Sequence, residues 1–353
     1  VNVTGMPMPF ELRYVMENAD ELSEVDKIFN NYSTHGWFIT VGSNKDQSGA
    51  MYELTRGQCI KNKMQDNYVG VTNLAVSEKG RYEYSPINMH GERNITREDK
   101  LKELYQNISN ENLVDKAYQM VSSTTYYELP HDTSWGCSIN NDITVKSCIM
   151  DNTNQKIYFA YGEMLAGCNQ FLEYDLATQD VSVYKEKQTI PDEDYLKNRL
   201  VFKKWYRENC SEKKKLEKED YLQMIEKVNQ LELQPAYKYN LLSRCYINLE
   251  NKEKANEYAS KYIAEMPTFG SAYMTQFTIS RLSKDYEKAI QSIQEMLEKA
   301  HNTPSDYFWA KRQMILMYDK LQAQSPKEEY VNKIKVLNEE LKELCKPFFL
   351  RNG

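Results

Sequence analysis

The spacing of apolar residues changes character along the chain. MPFELRYVMENA and DELSEVDKIFNNY predict two helices. In the second, Leu22, Val25, Ile28 and Phe29 recur at helical spacing, and Asp20 is placed to cap it. The period then drops to two. GWFITVGS and GAMYELTRG predict strands joined by the polar turn NKDQS, and NYVGVTNLAVS predicts a third strand. TREDKLKELYQ and ENLVDKAYQMVSS predict a second pair of helices. DITVKSCIMD and KIYFAYGE predict a hairpin around NTNQ, which NQFLEYDLA and DVSVYKEK continue. Hairpin strands with paired helices define an α+β arrangement.

After QTIPDEDY the strand period ends. Residues 196–348 are helical in pattern, with Pro or Gly only at the breaks. A repeat is legible here. EKANEYAS begins at Glu253 and EKAIQSIQ at Glu287, 34 residues on, and Tyr239 and Tyr273, like Ala255 and Ala289, share that spacing. A 34-residue helix-turn-helix repeat resembles the tetratricopeptide repeat, in which a small Ala lets two antiparallel helices approach. The usual Gly of the first helix is Ser243 in one unit and Phe277 in the next. A third helix pair, about 303–345, follows without the consensus residues. The expected organisation is an α+β domain over 1–186, a connecting helical segment over 187–222 and a helical-hairpin domain over 223–348.

Composition narrows the chemistry. The chain has 353 residues, 41% of them apolar, and a net charge of −6. That supports a packed core and argues against nucleic acid as the main partner. No run of about 18 apolar residues predicts a membrane span. The seven cysteines form no CxxC pair. The four histidines, His35, His90, His131 and His301, lack metal-ligand spacing, and no phosphate-binding Gly pattern occurs. No metal or cofactor is therefore expected. Cys59, Cys148 and Cys245 lie on apolar faces and read as core. The spacing of His131 and Cys137 does not require a catalytic pair. KNRLVFKKWYRENC, 197–210, mixes basic and aromatic residues. It fits an anionic or nucleic-acid surface, or an amphipathic helix with its cations outward.

GMPMPFELRYVMENADELSEVDKIF, GWFITVGSNKDQSGAMYEL, VTN, TREDKLKEL and TVKSCIMDNTNQKIYFAYGE follow one another between residues 5 and 176. In that order they resemble the isopenicillin-N acyltransferase-like N-terminal-nucleophile hydrolases, relatives of choloylglycine hydrolase. The resemblance implies an αββα sandwich and attack by an N-terminal Cys on an acyl amide or acyl thioester. The α-amine of that Cys would serve as base. It also implies that Asn73 donates to the developing oxyanion. An Arg at the start of the next helix, Arg97 or else Arg93, would orient substrate or nucleophile. Thr144 and Ser147 flank a strand that would run beside the active centre. Read without the resemblance, Asn73 can equally end a strand or bond a turn, and Arg97 can be a solvated helix charge. Val1 has neither thiol nor hydroxyl, so the nucleophile and the Asp and Arg that position it would lie upstream. The sandwich is then partial. The chain is a fragment, one product of a precursor or a degenerate relative, inactive alone. The expected partners are a small acyl substrate and a peptide or protein at the helical repeats.

Overall fold

The computed structural model describes residues 8–32, 37–55, 58–72, 91–107, 112–125, 138–141, 144, 146–162 and 165–349. The protein is mixed α+β and divides into two compact units. One comprises Val1–Ser85, Asn94–Ser123 and Ile143–Thr189; the other comprises Pro86–Arg93, Thr124–Asp142 and Ile190–Gly353.

The first unit opens with α1 (Met8–Asn18) and α2 (Leu22–Tyr32), followed by an antiparallel sheet of β1 (Trp37–Ser43), β2 (Ser48–Thr55) and β3 (Gln58–Lys63) in that order. Val15, Val25, Ile28 and Phe29 of the helices pack on Ala50, Tyr52 and Leu54 of β2. One carboxylate locks the helix to the sheet: Asp26 accepts a hydrogen bond from the Tyr52 hydroxyl at 2.8 Å and pairs with Lys61 at 2.8 Å. The cap of α2 is not Asp20. Asp46, in the β1–β2 turn, accepts from the Leu22 amide at 2.7 Å, which holds its carboxyl below the usual range. A partner 24 residues away does what a local cap was expected to do.

The third strand also differs from expectation. The sheet takes β3, with Cys59 paired to Leu54 and Lys61 to Tyr52. The described part of the expected strand, 67–72, belongs to neither sheet. Asp66 and Asn67 have φ of 49° and 59°, and the amides and carbonyls of Gln65 and Tyr68 close a tight turn on each other. Asn and Asp tolerate that left-handed backbone, so alternation alone overrode a turn signal.

Then come α3 (Gly91–Asn107) and α4 (Leu113–Ser122), and a second antiparallel sheet, β4 (Lys146–Asp151), β5 (Lys156–Tyr161), β6 (Phe171–Asp175) and β7 (Val181–Lys185), in chain order. Tyr118 of α4 packs edge-on against Phe171, with Ile149, Tyr158 and Ala160 around it. The opposite face of this sheet is apolar. Cys148, Phe159, Leu172 and Val183 form one cross-strand row, and Met150, Ile157, Tyr174 and Val181 form another. Met150, Val181 and Val183 are 65%, 59% and 49% exposed. The expectation that Cys148 is core is thereby corrected: it is exposed, because strand alternation sends Ser147 and Ile149 inward instead.

The second unit contains α5 (Glu193–Asn209), α6 (Lys218–Gln230) and three antiparallel hairpins. These are α7 (Pro235–Asn248) with α8 (Lys252–Glu265), α9 (Gly270–Leu282) with α10 (Tyr286–Lys299), and α11 (Pro304–Gln324) with α12 (Glu328–Phe349). Thus α9 and α11 open 34 residues apart, as do α8 and α10. The first two turns repeat atom for atom. Glu250 and Lys284 are left-handed (φ 60° and 62°), and Asn251 and Asp285 then cap α8 and α10 through the amides of Lys254 and Lys288, each at 3.1 Å. The Asn251 amide reaches the Tyr246 carbonyl at 2.9 Å, and the Asp285 amide reaches that of Ser280 at 3.0 Å. Ala255 and Ala289 are fully buried where each hairpin closes.

These turns yield a prediction in urea unfolding of the whole chain. Lys284→Gly should raise stability by roughly 1 kcal/mol, because a Cβ is penalised in the left-handed region. Asp285→Ala should lower it by about 1 kcal/mol through loss of the cap. Equal midpoints for the two variants would show that this turn does not set the hairpin.

Candidate functional site

The resemblance draws attention to where β3 leaves its sheet. Beyond Lys63, the Met64 amide donates to the Gly49 carbonyl at 3.1 Å, and the chain then enters the Gln65–Tyr68 turn. Helix α3 holds this turn. The Tyr105 hydroxyl donates to the Asp66 and Asn67 carbonyls at 3.2 and 3.1 Å, and its ring lies 4.8 Å from that of Tyr68. Burial, and then the charge of Glu98, push the Tyr68 phenol up to about 12, so it stays a neutral donor. Gly70 leaves room for the Tyr68 phenol, which would have to shift if a Cβ stood there.

Two residues on, the Thr72 hydroxyl donates to the Asn94 carbonyl at 3.0 Å. Asn94 is buried, and its side-chain oxygen accepts from the Arg97 guanidinium. Residue 72 and Arg97 are therefore brought together through one residue of α3. The expectation that Arg97 starts this helix is corrected. The helix opens at Gly91, so Arg97 lies in its second turn and Arg93 in its first. The polar run GERN, without apolar spacing, hid that first turn from the sequence. Asn73 itself lies outside the described residues, as do His35, His90, His131 and Cys137. Ser147 is buried and Thr144 half-buried. The Thr144 carbonyl accepts from the Ala166 amide at 2.8 Å, which ties the approach to β4 to the 3-10 turn Ala166–Cys168.

A cleft of about 580 Å³ lies beside this junction, between the exit from β3 and α3. Three of its five charged lining residues are paired, and Lys63 and Asp66 take part in no ion pair among the described residues. Lys102 pairs with the buried Glu98 at 2.9 Å, and Lys61 is held by Asp26. Its walls include the Tyr68–Tyr105 pair, Met51 and Asn62. Asn62 donates to the fully buried Glu53 at 3.1 Å. Among the described lining residues there is no thiol and no aliphatic hydroxyl, so the cleft itself offers no Cys, Ser or Thr nucleophile.

The described cysteines point the same way. Burial pushes the Cys59 thiol up to about 11 and that of Cys245 up to about 12, and raises that of Cys210. An activated nucleophile needs the opposite shift. No protein-family model matches the chain, and no curated protein matches it.

Near neutral pH, iodoacetamide followed by peptide mapping should label exposed Cys148 first among these thiols. Cys59 and Cys245 should react only on unfolding. The shifted thiols also set a sign for stability. A free thiol ionises near 8.5. As pH rises from there through about 11, the unfolded chain releases its Cys59 proton first, and the folded state loses stability. Labelling of Cys245 in the folded chain as fast as that of Cys148 would contradict the assignment.

Proposed function

We propose that the first unit is the body of a cysteine N-terminal-nucleophile amidase or acyltransferase whose nucleophile is supplied by sequence preceding Val1. The observation that carries this reading is the meeting at Asn94. The Thr72 hydroxyl, one residue before Asn73, and the Arg97 guanidinium both end on it. The neighbour of Asn73 and one of the two arginines that the resemblance offers thus share an anchor. The elements run two helices, three strands, two helices and four strands, and the resembling helix and hairpin motifs fall on them in chain order, while the described part of the VTN segment joins neither sheet. The bare apolar face of the four-stranded sheet is a second support. An exposed face of that composition calls for another layer, as an αββα sandwich would supply.

In this reading the upstream Cys attacks the carbonyl of an acyl amide or acyl thioester, with its own α-amine taking the thiol proton. The leaving amine or thiol departs and an acyl-enzyme thioester remains. Water or an acceptor amine then resolves it. Asn73 donates its carboxamide N–H to the oxyanion formed in each step, and Arg97 orients the surroundings. The test is the encoded sequence before Val1 and the protein made from it. A Cys at a self-cleaved junction is expected. Asn73→Ala should then lower turnover about 100- to 1,000-fold while cleavage products and folding persist. Absence of Cys at any such junction would overturn the proposal.

The second unit favours an interaction role on a separate observation, the recurring 34-residue hairpin with its repeated left-handed turn and cap. Its period is that of tetratricopeptide repeats, arrays that present a concave surface to peptides. A protein partner recovered with the full chain should be lost when residues 223–348 are deleted, and retention by the truncated chain would exclude this role.

A further inference from the structure

The second unit holds a cleft that neither reading uses. It lies among α5, α6 and α7 and has a volume of about 640 Å³, within the range of small-molecule sites. Phe202, Met224 and Cys245 are buried at its base, where they belong to the core that joins these three helices. Tyr221 and Tyr237 stand on its walls. This base of rings and sulfur is apolar and polarisable, suited to the hydrocarbon part of a ligand.

The rim is cationic. Lys203, Arg207 and Arg244 line the cleft, and no carboxylate does. Among the described residues neither Arg207 nor Arg244 takes part in an ion pair. The nearby carboxylate of Asp220 is committed elsewhere: it binds Lys213 and accepts from the Glu217 amide at 2.8 Å. The charge of Arg244 reaches the cleft itself. Burial raises the Tyr221 phenol and the Cys245 thiol, and Arg244 acts against that rise on both. Two guanidinium forks facing an apolar base, with no internal counter-ion, match an oxyanion carried on an apolar body. The basic-aromatic run 197–210 supplies Phe202, Lys203 and Arg207 to this one cleft, one helical turn and less apart. Helical spacing converts a mixed run into one lined face.

We propose that this cleft binds a small organic oxyanion with an apolar body, its charge held by Arg207 and Arg244 and its body against the Phe202–Met224 base. An aryl or alkyl carboxylate and an aryl phosphate monoester share this chemistry.

Calorimetric titration of the full chain tests it, with phenylacetate, phenyl phosphate and the uncharged phenylacetamide as probes. One or both anions should bind, and the amide should bind at least roughly tenfold more weakly, the cost of losing a charge-assisted contact. Whichever anion is tighter identifies the head group. Arg207→Gln and Arg244→Gln should each weaken that anion roughly tenfold. Lys204→Gln, on the same helix but outside the cleft, should leave it unchanged. The acid–amide comparison uses the unaltered protein, so it stands even where a variant fails to fold. Failure of both anions to bind, equal binding of the amide, or folded arginine variants with unchanged affinity would overturn the proposal. So would an oligonucleotide that binds at the same arginines more tightly than either small anion, since it would show that 197–210 reads a polyanion.

Discussion

The burial of β2 on both faces is the constraint on which the first unit depends. Residues 49–54 are all shut away from water. One face meets the apolar stripes of α1 and α2, as strand alternation against amphipathic helices requires. The other face carries Met51 and Glu53, and a carboxylate buried there must be met by donors. Asn62, across the ladder on β3, supplies one. Polar positions on β3 therefore match polar positions on β2, and the strand order β1-β2-β3 follows from which neighbour can satisfy which face. The same arithmetic sets the direction of the chain after Lys63. It cannot continue the sheet through Asp66 and Asn67, so it turns, and α3 secures the turn from outside through Tyr105.

How much of this was legible in the sequence depended on whether a residue's partner was local. The hairpin repeat was readable because its determinants, a cap after a left-handed residue and a small Ala five or so positions on, sit within a few residues of one another. The helix pairs on either side of the first sheet were readable for the same reason. β3 was not, because QCIKNK places Lys61 and Asn62 where a strand pattern expects apolar residues. Those side chains are admissible only because Asp26 and Glu53, distant in sequence, face them. The cap of α2 by Asp46 belongs to the same class. Cys148 was misread from the other direction. Its apolar neighbours Ile149 and Met150 look alike in sequence, yet they point to opposite faces, and among the described residues a helix packs on the Ile149 face alone.

That asymmetry of the four-stranded sheet bears on function more than any single residue. The sheet has helix α4 on one side and two apolar rows open on the other. Its open rows are continuous across all four strands, from Cys148 to Val183 and from Met150 to Val181, with no charged residue in either. A solvent-adapted antiparallel sheet alternates polar residues onto its free face, and this one does so at neither row. The acyltransferase reading rests on the same physical point as on its motifs: a catalytic sandwich needs two inner faces.

The two clefts differ in a way that separates their chemistry. In the cleft beside α3, Lys102 answers Glu98 and Lys61 answers Asp26, while Lys63 and Asp66 add one charge of each sign, so the lining carries no excess of unanswered cations. That is a suitable surrounding for a neutral amide, whose charge develops only during reaction and must be met by donors fixed beforehand. The cleft among α5, α6 and α7 is electrically open. Its guanidinium groups are solvated and unanswered, and its base is apolar, so a resident anion would meet charge at the rim and lose water from its body at the base. A charge placed against the buried Glu98 in the first cleft would have to break its pair with Lys102. Placing one in the second breaks nothing.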